Sequence, residues 1–195
     1  MNHFLGIEDG EFIRGKAPMT KKEIRILTLA GAKIGKADIV CDIGAGTGSL
    51  SVEAALLAKE GHVYAVERKE EAAALIRQNA AKFGVKNLTV IESEAPAGME
   101  QLPARLDTAI VGGTGSRLEE ILDVLDARLK PGGSIVINCI TVQTLAAALA
   151  YMRKKSGYLY DTVQVQVNRL KKVGPYDMAE AINPVYIISC HKANV

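Results

Sequence analysis

The sequence contains no tryptophan, and only 5% of its residues are aromatic. An aromatic-rich binding surface is thereby excluded, whereas the abundant Ala, Gly, Val and Ile suit closely packed α/β layers. An excess of one charge is also missing. Lys and Arg number 24 against 22 Asp and Glu, a net of +2, too balanced for a protein built around nucleic acid. Cysteine is sparse: Cys41, Cys139 and Cys190 stand far apart inside apolar runs. Without Cys-x-x-Cys spacing they point to small buried hydrophobes in a reducing compartment, not to a zinc or redox site. No run reaches the roughly eighteen apolar residues of a membrane span, and "MNHFLGIEDGEF" lacks the basic start and apolar stretch of a secretory signal. The expectation is a cytoplasmic protein without a membrane segment.

What is present is enough for a sizeable core. The 195 residues are 48% hydrophobic with a mean hydropathy of +0.10, which fits a single domain over 1–195. Within it, residues 1–35 read as a lead and first helix, 36–158 as a nucleotide-binding core, and 159–195 as antiparallel strands. Strand-like runs occur at 38–43, 62–67, 88–92, 107–112 and 134–139, separated by helix-like stretches at 49–59, 70–83, 116–129 and 142–155. That alternation predicts a parallel sheet covered on both faces. The end changes rhythm: "YDTVQVQVNRL" (160–170) alternates at period two and "PVYIISC" (184–190) follows, so these two should pair antiparallel across a long connection, 169–183. The expected sheet has seven strands. Ahead of it, "TKKEIRILTLAGAKI" reads as a helix capped by Thr20, with Glu23 completing a capping box.

The segment "VCDIGAGTGSL" (40–50) ends a buried strand in three glycines, Gly44, Gly46 and Gly48, and reopens as a helix. Glycines are needed there because the backbone turns tightly and approaches a ligand closely. A dinucleotide loop would place its third glycine at position 49, which is Ser. Glu67 ends the next strand, about twenty residues on, where a carboxylate can accept hydrogen bonds from both ribose hydroxyls of an adenosine. That spacing suits both NAD enzymes and S-adenosylmethionine enzymes.

Taken together, "VCDIGAGTG", "VYAVER" and "IESEAP" resemble the class I S-adenosylmethionine-dependent methyltransferases, whose loop reads Asp/Glu-x-Gly-x-Gly-x-Gly; Asp42, Gly44, Gly46 and Gly48 match in register. The resemblance implies a three-layer Rossmann-like α/β fold with a seven-stranded, mostly parallel sheet and an antiparallel last strand. It implies S-adenosyl-L-methionine as cofactor, held by Gly44, Ala45, Gly46, Thr47 and Gly48 under the methionine, Glu67 with Arg68 at the ribose, and Glu94 with Ala95 at the adenine. The Asn/Asp-Pro-Pro-Tyr stretch of amine methyltransferases is replaced by "VGGTGS" (111–116), which disfavours a nucleobase amine and leaves room for a large substrate.

A narrower resemblance is carried by "GIEDGEFIRGKAPMTKKEIR", "ESEAP", "VGGTGSRLEEIL" and "LKPGGSIVIN". These look like the CbiT family, the decarboxylating cobalt-precorrin-6B methyltransferases of cobalamin biosynthesis. The likeness implies methyl transfer to carbon-15 of a corrin-precursor tetrapyrrole, loss of carbon dioxide from the carbon-12 acetate, a homotetramer, and Thr20 beside the cofactor. Neither nucleic acid nor a protein-bound metal is implied. No catalytic acid or base is assigned. For the substrate's carboxylates the candidates are Arg14, Lys16, Gly113, Thr114, Gly115, Arg117 and Arg169, with Lys171 and Lys172 beside it, because arginine suits bidentate carboxylate contact. Tyr176 and Met178 could pack over a flat ring, or equally be core or subunit-interface residues. His3, His62 and His191 read as surface or strand-end residues, and "RKK" (153–155) as cations at a helix C-terminus. Two other readings stand beside this one: an RNA or protein methyltransferase of the same class, and a non-catalytic nucleotide-binding module.

Overall fold

The computed structural model describes residues 5–194; His3 lies outside them. Five parallel strands come first along the chain: β1 (Ile39–Ile43), β2 (His62–Glu67), β3 (Leu88–Glu92), β4 (Leu106–Val111) and β5 (Leu129–Cys139). They are joined through helices α2 (Ser49–Leu57), α3 (Glu70–Lys82) and α4 (Leu118–Arg128), with α1 (Lys22–Ala32) before the sheet and α5 (Val142–Lys154) after β5. Strand β6 (Tyr158–Val165) and the last strand, β9 (Val185–Lys192), complete a seven-stranded sheet of order β3-β2-β1-β4-β5-β9-β6. Strand β9 runs antiparallel to both of its neighbours. This is the three-layer α/β arrangement expected of a class I methyltransferase, and its order reverses between β1 and β4, the crevice where such sheets bind ligands.

The layers follow from the side-chain alternation of buried strands. Along β1, Val40 packs with Leu29, Leu50 and Ala54 toward α1 and α2, while Cys41 and Ile43 join Leu118, Ile121 and Leu122 of α4 on the opposite face. The cysteines are free and buried. Burial raises all three thiols, Cys139 to about 11 and Cys190 to about 12, so they serve as packing rather than as nucleophiles.

Two expectations change. Helix α1 begins at Lys22 and has no side-chain cap from its own first turn, so Thr20 and Glu23 do not form a capping box. The orphan Lys22 N–H donates to Asp9 Oδ1 at 2.9 Å, a cap brought from the lead, which frees Glu23 to pair with Arg169. Likewise, the run 160–170 is not one strand. It breaks after Val165, and β7 (Asn168–Val173) pairs with β8 (Tyr176–Ala181) as a separate antiparallel ribbon. The expected loop 169–183 is therefore mostly strand, and among the described residues a two-stranded ribbon is added to the expected seven-stranded sheet.

Candidate active site

The glycine loop is shaped by close approach. Gly44 has φ +73°, and a Cβ there would stand 2.1 Å from the Gly112 carbonyl oxygen. Gly48, also at positive φ, lies against Ile76 of α3, so a side chain would strike that helix. The loop is stitched to β2 by Gly44 and Ala45 N–H groups donating to Val66 O at 2.9 and 3.2 Å.

Glu67 closes this junction. Its Oε2 accepts from Gly46 N–H at 2.9 Å and its Oε1 from Lys69 N–H at 3.0 Å. Two backbone donors hold the carboxylate rigidly at the mouth of the site and leave each oxygen a further lone pair. Beneath it lies Asp42, buried, receiving the Ser51 hydroxyl at 2.5 Å. Burial pushes the Asp42 carboxyl up to about 6, with Glu67 adding to the shift and the Ser51 hydrogen bond opposing it.

Two connected lobes open at the carboxyl ends of the strands. The small lobe, about 190 Å³, lies between Glu67, Ser93–Ala95 and Gly113–Arg117. A larger one, about 550 Å³, is roofed by Ala17–Lys21 of the lead, floored by the glycine loop and Asp42, and bounded by Asn138, Ile140, Ile182 and Asn183. Both lobes share Gly44, Glu67, Arg68 and Gly113. The roof is fastened by Arg25, wholly buried on α1, which donates to Thr20 O at 2.6 Å, Asp9 at 2.8 Å and Glu53 at 2.7 Å, and also to Ile7 O.

Most residues singled out in the sequence converge here. Thr20, Gly44, Ala45, Gly46, Glu67 and Arg68 line the large lobe, and Glu94 and Ala95 the small one. Exposed Arg68 pairs with Glu94 at 3.3 Å. Thr47 and Gly48 lie behind the loop; the Thr47 carbonyl accepts from Asn79 Nδ2 at 2.9 Å, and its buried Oγ1 has no partner among the described residues. The proposed carboxylate binders scatter. Gly113 borders both lobes, but Thr114, Gly115 and Arg117 border only the small one, and Arg117 pairs with Glu120 at 2.8 Å. Arg14 donates to Asp9 O, and Lys16 lines a side depression next to Lys69. Arg169 sits on β7, not a loop, and is engaged by Glu23 and Asp9 at 2.8 and 3.4 Å. Lys171, Lys172, Tyr176 and Met178 are exposed on the β7–β8 ribbon. Asn138, Ile182 and Asn183 were not anticipated. A polar Asn near the end of the apolar run "SIVINC" was the available sign, since ligands gather at strand carboxyl ends.

Comparison with known proteins sharpens this geometry. Residues 11–192 match the family model described as the precorrin methyltransferase domain. The Salmonella typhimurium cobalt-precorrin-6B C(15)-methyltransferase (decarboxylating) is 34% identical over 187 residues, covering 95% of this chain and 96% of that protein. A Sulfolobus acidocaldarius protein named as a probable enzyme of the same kind is 42% identical over 185 residues, 94% of this chain and 95% of its own. The crystal structure of precorrin-6y C5,15-methyltransferase from Geobacter metallireducens superposes with a TM-score of 0.89 at 40% identity, covering 96% of this chain and 98% of that one. The fold, the two-lobed crevice above the glycine loop and these near full-length matches agree: the chain belongs to the precorrin methyltransferase family.

Proposed function

We propose that the chain is the S-adenosylmethionine-dependent methyltransferase of cobalamin biosynthesis that methylates carbon-15 of cobalt-precorrin-6B and releases carbon dioxide from the carbon-12 acetate, giving cobalt-precorrin-7. The observation that carries this reading is the Glu67 carboxylate, pinned by two backbone donors between an adenine-sized lobe and a much larger one, in a chain that follows relatives named for that reaction over 94 to 95% of its length.

The residues present fit such a cofactor. Gly44 lets the loop lie directly against the Gly112 carbonyl, where any Cβ would clash, and the free lone pairs of Glu67 suit the two ribose hydroxyls. Ser93, Glu94 and Ala95 face Gly115 across a slot for the adenine, while Thr20 and Pro18 close over the methionine end. When bound, S-adenosylmethionine supplies an electrophilic methyl group to an electron-rich ring carbon. The protein's task is to hold the two in line at contact distance, which positioning achieves without a strong base. Ile24, Ile140, Ile182 and Val185 make the large lobe apolar on its acceptor side, and a methyl transfer that neutralises charge gains from such surroundings.

The same reading takes the substrate to be a tetrapyrrole rather than nucleic acid, the chain to be one methyltransferase domain, and the compartment to be the cytoplasm; among the described residues no helix is long and apolar enough to cross a membrane. It also takes the assembly to be a homotetramer. In support, the β7–β8 ribbon exposes Leu170, Val173, Tyr176 and Met178, and a two-stranded ribbon alone is marginal in water. Sedimentation as a monomer at micromolar concentration would remove the tetramer. For the activity, the purified chain is incubated with S-adenosylmethionine and cobalt-precorrin-6B and the product is weighed. Gain of a methyl group with loss of carbon dioxide is the expected result; an unchanged mass overturns the reading.

A further inference from the structure

Beyond Gly113, the acceptor wall of the large lobe consists of Asn138, Ile140, Ile182, Asn183 and Val185, with no lysine or arginine among the described residues. The cations of this lobe, Lys21, Arg68 and Lys69, belong to the lead and to the Glu67 side. Asn138 is the anchored polar group of that wall. It precedes the last residue of β5, and its Oδ1 accepts from the hydroxyl of Thr28, buried on α1, at 3.0 Å. The Thr28 hydroxyl proton is shared with Ile24 O at 2.7 Å. Thr28 thereby engages the amide oxygen, while Nδ2 has no partner among the described residues and belongs to a side chain that lines the lobe.

We propose that Asn138 is a positioning residue for decarboxylation, its Nδ2 holding the acetate carboxylate that the substrate loses. The inference rests on the function proposed above. Carbon-12 and carbon-15 are only a few bonds apart on the ring, so a ring poised for methyl transfer over Gly113 brings its acetate against the end of β5. In the reaction the bond between the acetate methylene and its carboxyl carbon breaks and carbon dioxide leaves. The bonding pair enters the conjugated ring through a new exocyclic double bond, and a proton from solvent then turns the methylene into a methyl group.

The choice of an amide follows from where the charge goes. A lysine or arginine partner would stabilise the carboxylate of the ground state more than a transition state whose charge has moved into the ring, and would slow the step. A neutral amide donates a directed hydrogen bond to the carboxylate without adding the attraction of a full opposite charge. Asn138 therefore fixes the direction of the breaking bond relative to the ring plane, as overlap with the conjugated system requires, without trapping the acid as an ion pair.

The test is the product partition of Asn138→Leu under single turnover, read by mass in protein that retains wild-type affinity for S-adenosylmethionine. The ratio of methylated, decarboxylated product to methylated acid is expected to fall at least about tenfold, the effect of losing one hydrogen bond to a charged group. A wild-type ratio overturns the assignment, as does parallel loss of both steps. Thr28→Val, which removes only the hydroxyl that orients the amide, should move the ratio in the same direction even where Asn138→Leu does not fold; an unmoved ratio there also overturns it. The two levels separate cleanly. Wild-type protein that leaves the substrate mass unchanged sinks the parent reading, whereas a wild type and a variant that both decarboxylate normally sink this inference alone.

Discussion

Glu67 is the residue on which most of the site depends, because it accepts from Gly46 and Lys69 N–H groups while facing both lobes. Glu67→Ala would orphan both donors and remove the ribose acceptor, so affinity for S-adenosylmethionine should fall by about 1.5 to 3 kcal/mol, or about 10- to 150-fold. Calorimetric titration decides it, and unchanged affinity would take Glu67 out of the site. Asp42 sets a pH dependence of stability. Its carboxyl is raised to about 6 by burial, so the folded chain keeps this proton to higher pH than the unfolded chain does. The contribution to stability is then most favourable below the ordinary carboxylate range and is lost as pH climbs to about 6, a change of up to about 3 kcal/mol. Asp42→Asn should flatten urea-denaturation stability across that window in the cofactor-free protein; a profile as steep as wild type would show that another group titrates there. At this scale Glu67 was readable because strand, loop and acid stand at fixed spacing. Asn138 was not, since its role needs Thr28, 110 residues away, beside it.

Among the elements, those that bury apolar faces could be read and those held by charge could not. Strands β1 to β5 announce themselves as Val- and Ile-rich runs because both of their faces are covered. The start of α1 was misjudged because its cap is Asp9, supplied by the lead across a buried cluster with Arg25. Most of the β7–β8 ribbon reads as a connection in the sequence because nearly all of it is exposed, so no burial pattern marks it. Asp9 joins these two misread parts, accepting from the Lys22 N–H, Arg25 and, at 3.4 Å, Arg169. Burial pushes the Asp9 carboxyl up, yet the hydrogen bond and charge of Arg25 outweigh it and hold the group below the usual carboxylate range. Asp9→Ala leaves Arg25 buried with Glu53 as its remaining carboxylate, which should cost about 3 kcal/mol in urea unfolding. Because Arg25 also holds the Thr20 carbonyl, the roof should loosen and the cofactor dissociate faster. A variant with wild-type stability and wild-type dissociation rate would dismiss this fastening.

For the molecule as a whole, the question is what ties the antiparallel edge to the parallel core, since β6 and β9 arrive after the βα repeats and have no crossover helix between them. Their order in the sheet is not legible in the periodicity, which shows alternation but not which neighbour each strand chooses. The tie is Asp126 at the end of α4. It accepts from Lys155 after α5 at 2.9 Å, Tyr158 of β6 at 2.8 Å and Lys192 of β9 at 2.9 Å, so one carboxylate gathers four elements from three stretches of chain. Burial opposes its ionisation, but the hydrogen bonds from Lys155, Lys192 and Tyr158 prevail and hold the carboxyl at about 2. With a folded value below the unfolded one, the network contributes fully above the ordinary carboxylate range, and that contribution is lost as pH falls through about 2. The shift corresponds to about 2 kcal/mol at neutral pH. Asp126→Asn should therefore lower stability at pH 7 by about that amount while leaving the two proteins nearly equal near pH 2. The comparison is made by urea denaturation across that range, and a difference that stays constant with pH would mean that Asp126 holds the edge by packing rather than by charge.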